Sequence, residues 1–332
     1  TTLFRSRDIL STLLEWQTSG RRFALACVTR TWGSSPRPLG SLMGVREDGL
    51  IVGSVSGGCV ETAVIEEAQT ALTYGGAREM TFDRLAEGSV WQVGLSCGGK
   101  IQVWIDPEPE IARWAELLAQ DRGFLLATTL SPVARSVWKA GDPVLTELDQ
   151  ACQTAYEKRE SGEAEVAGAR TFLHVVRPRE RLLVVGAVHI AAALVKFAKD
   201  LGFETVVIDP RATFAAVERF PIAPDLLVND WPQRALPEIG VNEETYAVVL
   251  THDPKIDDVA LAHFLRSPAA YIGALGSRTT QAQRRESLAA EGFSAEDLAR
   301  IHGPVGLAIG AKSPEEIAIS ILAEIIQVRN RS

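Results

Sequence analysis

From residue 179 onward, short apolar runs alternate with helical stretches, and this alternation constrains the fold more than any other feature. Residues 182–185 read as a buried strand and 190–201 as a helix. Strands follow at 205–208, 225–228, 246–250 and 270–272, with helices fitting between most of them. Strands that alternate with helices imply a parallel, doubly wound sheet. The last helix, 314–329, carries its own start signal. Ser313 is the N-cap, Pro314 takes the first helical position, and Glu316 follows three residues after the cap.

Upstream of Arg177-Pro178-Arg179 the grammar differs. Residues 9–16 have helical spacing and Gly20 stops them. Residues 22–29 read as a strand, with Phe23, Leu25 and Cys27 on one face. Residues 41–45 and 50–53 form a hairpin whose turn contains Asp48-Gly49. A helix over 59–74 ends at Gly75-Gly76. A strand at 100–105, a helix at 111–119, a second hairpin from 124–130 and 134–139, and a strand at 172–176 complete this part. Residues 157–168 are polar and read as a surface stretch. The expected fold class is α/β. A mixed α+β domain over 1–178 precedes a Rossmann-like, doubly wound parallel sheet over 179–332.

Composition narrows the function. The chain has 332 residues, a formal net charge of -8 and 46% hydrophobic residues, so it can bury a sizeable core. The acidic balance argues against nucleic acid as the main partner. Four scattered cysteines give no disulfide framework and no zinc spacing. They suit a reducing, cytoplasmic setting. Residues 1–8 lack the basic-then-apolar pattern of a signal peptide. The longest apolar run, 182–195, is broken by Gly186 and His189 and reads as core, with no membrane span expected.

Two turns set a thiol beside a Gly-Gly pair: Ser56-Gly57-Gly58-Cys59-Val60-Glu61 and Ser96-Cys97-Gly98-Gly99. Adjacent glycines let the backbone take positive φ and approach a ligand. Cys59 is expected at a helix N-terminus, where free N–H groups and the helix dipole stabilise an anion, a thiolate included. Small residues filling tight turns would leave the same pattern, and only its repetition favours a site. Cys27 and Cys152 read as structural. Arg37, in the proline-stiffened loop 33–38, is an anion contact or a solvated arginine. Trp32 and Trp91 are core or stacking surface, and the sequence leaves both open.

Gly186-Ala187-Val188-His189-Ile190-Ala191 follows a strand and opens a helix, as a dinucleotide fingerprint does. Asp209 ends the next strand, where a carboxylate would hold a ribose hydroxyl. Yet Val188 stands where a glycine normally lets the backbone meet a pyrophosphate. This reads as a Rossmann scaffold without a standard dinucleotide, with NAD(P) binding as the weaker alternative. His189, Asp209 and His252 fall on the carboxyl edge of the sheet, where such folds bind ligands. Gly276-Ser277-Arg278 suits a phosphate-like group or simply caps a helix.

The segments 33–37, 53–61 and 94–99 together resemble the N-terminal signature of the XdhC/CoxI family. Residues 183–191, 209–211, 219–221, 251–253, 271–278 and 304–321 are similar to that family's Rossmann domain, with Val188 as a departure. The resemblance implies a xanthine dehydrogenase accessory protein. Such a protein binds molybdenum cofactor, protects it while its terminal sulfur ligand is installed, and passes it to a molybdenum hydroxylase. It implies an apo-hydroxylase of xanthine dehydrogenase type and a cysteine desulfurase as partners, and a cytosolic homodimer. On this reading Cys59 and Cys97 contact the metal or its sulfur, since soft thiolates suit such a centre. Gly57, Gly58 and Gly98 shape their turns, with Arg37 and Glu61 nearby. Gly186, His189, Asp209, His252, Ser277 and Arg278 hold the pterin or phosphate end. No catalytic residue is assigned. The rival from another class is an NAD(P)-dependent oxidoreductase on the C-terminal domain. A second rival, a dithiol redox protein, is disfavoured by the wide separation of Cys59 and Cys97.

Overall fold

The structure is a computed structural model that describes residues 6–35, 37–83, 99–120 and 122–330. The chain divides into two compact units, Thr1–Pro178 and Arg179–Ser332.

The first unit contains, in chain order, α1 (Ser6–Thr18), β1 (Phe23–Trp32), β2 (Leu42–Arg46), β3 (Ile51–Gly53), α2 (Glu61–Tyr74), β4 (Arg78–Phe82) and β5 (Lys100–Asp106). It continues with α3 (Ile111–Ala119), β6 (Phe124–Leu130), β7 (Val133–Lys139), α4 (Glu147–Glu157), β8 (Gly162–Val166) and β9 (Ala169–Val176). The described strands make two antiparallel sheets, in the orders β3-β2-β1-β5-β4 and β7-β6-β9-β8. The period-2 alternation of β1 separates two cores. Ala24, Ala26 and Val28 pack with Ala63, Val64 and Ala68 of α2. Phe23, Leu25 and Cys27, the face expected from sequence, pack with Leu13 and Trp16 of α1, Ile111 of α3 and Phe172 of β9.

Residues 157–168 depart from the expected polar surface stretch, because they contain the edge strand β8, paired with β9. Ala167 and Gly168, both at positive φ, make a two-residue hairpin loop between the paired Val166 and Ala169. Glu163 hides the strand from a hydropathy reading. Its side chain is buried, with Arg30 at 2.7 Å and Arg170 at 3.0 Å neutralising it. The strands β4 and β8 were not legible as strands for the same reason: charged residues alternate along both.

The second unit contains β10 (Arg181–Val185), α5 (His189–Asp200), β11 (Glu204–Ile208), β12 (Leu226–Val228), α6 (Pro232–Ile239), β13 (Thr245–Val249) and α7 (Pro254–Leu265). Then follow β14 (Tyr271–Ala274), α8 (Arg278–Ala290), α9 (Ala295–Ala299), β15 (Ile301–His302) and α10 (Pro314–Arg329). The described strands form one parallel sheet, β12-β11-β10-β13-β14-β15, with helices on both faces. The fold class is therefore α/β with a Rossmann-like second unit, as the alternation implies. Burial on both faces explains the unbroken apolar run of β10. Leu183 and Val185 pack with Ile256, Ala260 and Phe264 of α7, while Leu182 and Val184 face Leu194 of α5 and Ile321 of α10. Each fully buried aliphatic side chain contributes about 1.5–3 kcal/mol. The capping box of Ser313 and Glu316 starts α10 where the sequence places it.

The order of strands fixes where this unit can bind. Chain direction along the sheet reverses between β10 and β13, which are hydrogen-bonded neighbours. A crevice opens beyond the carboxyl ends of strands at such a switch point. No helix of the described residues is long and apolar enough to cross a membrane.

Candidate functional site

In the first unit, residues 54–61 connect β3 to α2. The Glu61 carboxylate reaches back over this turn and gathers its donors. Its Oε1 accepts from the Ser54 hydroxyl at 2.8 Å and from the N–H groups of Ser56 and Gly57, both at 2.9 Å. Its Oε2 accepts from the Ser56 hydroxyl, from Gly58 N–H at 2.9 Å and from Val60 N–H at 3.2 Å. The Ser56 hydroxyl oxygen in turn accepts from the N–H groups of Cys59 at 3.0 Å and Val60 at 3.1 Å. Successive N–H groups converging on one point form an anion nest. Here the chain supplies the anion itself. Burial would raise the Glu61 pKa, but hydrogen bonds from Ser56 and Ser54 outweigh it and bring the group down to about 2.

This geometry corrects the expected setting of Cys59. The helix begins at Glu61 with Val60 as N-cap, so Cys59 lies before the helix. The N–H groups expected to stabilise a thiolate are given to Glu61 and Ser56. The thiol is half-buried and packs against the core formed by the sheet and α2. Gly57 and Gly58 hold φ of 86° and 121°, values that side-chain-bearing residues rarely adopt. A Cβ added at either would meet nothing within 4 Å. Their outer faces are open.

The other motif segments of this unit reach the same end of the five-stranded sheet. The loop 33–41 joins β1 to β2, and Val28 N–H donates to Ser41 at 3.0 Å. Ser54, just after β3, donates to Leu42 at 3.1 Å, and Trp32 pairs with Lys100. Gly99 passes so close to the loop after β1 that a Cβ there would lie 2.0 Å from the Ser34 carbonyl oxygen. Arg37 is half-buried in that loop, and its carbonyl accepts from the Ser35 hydroxyl at 2.6 Å. Trp32 is exposed, with the Lys100 ammonium 5.0 Å from its ring centre. Arg37, Gly57, Gly58, Cys59 and Glu61 therefore share one sheet end. Cys97, Gly98 and Trp91 lie outside the described residues.

In the second unit, Gly186 takes φ of 111° after β10. A Cβ there would lie 2.7 Å from the Thr251 methyl carbon and 3.1 Å from Thr251 N, so glycine is required by close packing of two strand ends. Val188 is the N-cap of α5 and supplies no side-chain hydrogen bond. Together with Ala187, His189, Ala192, Arg219 and Phe220 it lines a groove of about 250 Å³. His189 is exposed.

Asp209 is fully buried, and its contacts are not those of a ribose ligand. Oδ1 accepts from Arg211 N at 2.9 Å and Arg211 Nε at 2.9 Å. Oδ2 accepts from Ala187 N at 2.8 Å and Arg211 Nη2 at 2.7 Å. A carboxylate offers about four acceptor positions, and all are filled. Ser277 caps α8 by accepting from Thr280 N–H at 3.2 Å, and Arg278 is exposed at the first helical position. Here the plain capping function is present.

His252 follows β13 across the switch point from His189. It is exposed and has φ of 63°. Sequence reasoning missed what lies beneath it. The buried Asp257 accepts from Thr251 N–H at 3.2 Å, the Thr251 hydroxyl at 2.6 Å and His252 N–H at 3.1 Å. Arg284, also buried, donates to Asp257 at 3.1 Å and Asp258 at 3.2 Å. Nothing in linear spacing links residues 257 and 284. Among the described residues, no three His, Cys, Asp or Glu side chains are grouped to hold a metal ion.

Comparison with known proteins covers both units. The sequence profile of the XdhC Rossmann domain matches residues 182–325, and that of the XdhC and CoxI family matches residues 16–83. The uncharacterized protein YqeB of Escherichia coli is 29% identical over 93% of this chain, which spans only 44% of that protein's length. A Bacillus subtilis protein described as a probable xanthine dehydrogenase component is 28% identical over 97% of both chains. The molybdenum cofactor insertion chaperone PaoD of Escherichia coli is 28% identical over 97% of this chain and 88% of its own. A crystal structure described as a xanthine dehydrogenase from Bacillus halodurans superposes with a TM-score of 0.71 at 28% identity, covering 97% of this chain and 96% of that one.

Proposed function

The chain belongs to the XdhC/CoxI family, and we propose that it is an accessory protein that carries molybdenum cofactor to a molybdenum hydroxylase of xanthine dehydrogenase type. It holds the cofactor while its terminal sulfur ligand is installed by a cysteine desulfurase, and then releases it to the apo-hydroxylase. We place it in the cytoplasm as a homodimer. Its similarity along nearly the whole chain to PaoD, a molybdenum cofactor insertion chaperone, supports this reading.

The observation that carries it is the turn at 54–61. Glu61 satisfies the inner N–H groups and fixes the backbone, while Gly57 and Gly58 leave the outer face without side chains. A half-buried thiol at Cys59 sits beside that open face. Rigid backbone and a soft sulfur donor are what a transient metal-sulfur cargo requires, since preorganisation cuts the cost of binding. We assign Cys59 and Cys97 to the metal end, with Arg37 at the same sheet end as Cys59. His189, His252 and Arg278 provide polar contacts for the pterin or phosphate end. Gly186 and Asp209 keep their places as the framework of the switch point.

Asp209 leaves no acceptor for a ribose hydroxyl and Val188 occupies the pyrophosphate approach, which weighs against an NAD(P)-dependent oxidoreductase. The test is retention. Anaerobic purification after co-expression with the cofactor pathway should yield bound molybdenum and pterin, lost in the folded Cys59→Ala/Cys97→Ala double variant. Unchanged retention in that variant would remove the thiols from the account. Quenching of NAD(P)H fluorescence by the apo chain would revive the oxidoreductase reading.

A further inference from the structure

The turn after β13 is built in a way that its local fold does not require. His252 holds φ of 63°, a left-handed conformation that costs a side-chain-bearing residue and that glycine or asparagine would adopt more easily. Helix α7 has its own cap, since Asp253 accepts from Lys255 N–H at 3.0 Å. Asp257 is therefore not needed to start the helix. It is nevertheless fully buried and receives the N–H groups of Thr251 and His252 together with the Thr251 hydroxyl. Burying a carboxylate is costly unless it is paired and hydrogen-bonded.

Its pair is Arg284, which is 5% exposed. Besides Asp257 and Asp258, Arg284 donates to the Leu275 carbonyl at 3.2 Å and to Gln281 Oε1 at 3.1 Å. Gln281 in turn donates to the Ala274 carbonyl at 2.8 Å. The network thus ties the carboxyl end of β13 to the carboxyl end of β14. From the other side, Gly186 at the end of β10 leaves room for Thr251 at van der Waals distance. The backbone of residues 251 and 252 is fixed from three strands. The His252 imidazole, by contrast, is exposed and makes no hydrogen bond among the described residues.

We infer that the buried Asp257–Arg284 pair is a positioning unit that holds the Thr251–His252 turn in its left-handed form and so presents the His252 imidazole to the cofactor at the switch point. A residue kept in an unfavourable backbone conformation by a fully satisfied buried network points to use of its side chain. Asp257, Arg284 and Thr251 act through His252 and do not touch the cargo. The inference rests on the cofactor-carrier reading.

The experiment uses the full chain purified anaerobically after co-expression with the cofactor pathway. Thermal midpoint, bound molybdenum and pterin per folded chain, and the imidazole NMR signals of His252 are measured. His252→Gly relieves the backbone and should keep or raise the midpoint, yet lower retention about tenfold. Asp257→Asn should lower the midpoint, shift the His252 signals and reduce retention in its folded fraction. If Asp257→Asn does not fold, His252→Gly decides alone. Retention by His252→Gly equal to that of the natural chain overturns the inference and leaves the carrier reading standing. A fall in its midpoint also overturns it, because the imidazole would then be structural. A natural chain that retains neither molybdenum nor pterin overturns the carrier reading, and this inference with it.

Discussion

Each unit carries a glycine turn that leads from a strand into a helix, and the two turns use glycine for opposite reasons. At Gly57 and Gly58 an added Cβ would meet nothing, so the glycines serve backbone conformation alone. At Gly186 an added Cβ would strike Thr251, so the glycine serves packing as well. Both turns also spend a carboxylate of the chain on their own N–H groups. Glu61 does so at the surface of the first unit, and Asp209 does so in the buried edge of the second. Turns that resemble anion cradles in sequence are thus already filled. What remains for a ligand is the open outer face of the first turn and the exposed imidazoles around the second.

The comparison can be broken by substitution. Asp209→Ala should have the largest effect, about 3–5 kcal/mol, because it strands Arg211 and the buried Ala187 N–H. Urea unfolding measures it, and a loss below that of Glu61→Gln would contradict the contrast. Gly186→Ala should cost about 2–4 kcal/mol, the sum of a strained φ and an overpacked contact. Glu61→Gln should cost about 2 kcal/mol, since one carboxylate oxygen becomes a donor facing donors. Gly57→Ala should cost only about 1 kcal/mol, from conformation without collision.

Acid sharpens the same contrast. The folded pKa of Glu61 lies below its ordinary value, so its contribution is complete above 4.5 and is lost as pH falls from 4.5 towards about 2. Acid titration of stability should show the natural chain losing more over that window than Glu61→Gln. Parallel acid curves for the two would place the stabilising role of the turn elsewhere.

How much was legible in sequence differs between the units. The parallel sheet was readable because both of its faces are buried, so apolar runs such as Leu182 to Val185 stand out against polar helix surfaces. The first unit hid β4 and β8, whose charged residues alternate along the strand and, in β8, are neutralised across strands by Arg30 and Arg170. The Gly-Gly-Cys turn was visible as a motif, but its wiring was not. Glu61 stands beside Cys59 in sequence as a plausible ligand contact, and only the fold turns its carboxylate inward. The Asp257–Arg284 network was invisible because its members come from two helices joined only in space.

The central claim is that this chain carries molybdenum cofactor on its Gly-Gly-Cys turn. Metal and pterin analysis of the chain purified anaerobically after co-expression with the cofactor pathway tests it most directly. The account predicts molybdenum and pterin in equal amounts on the natural chain and their loss from the folded Cys59→Ala/Cys97→Ala variant. A folded natural chain free of both molybdenum and pterin would contradict it.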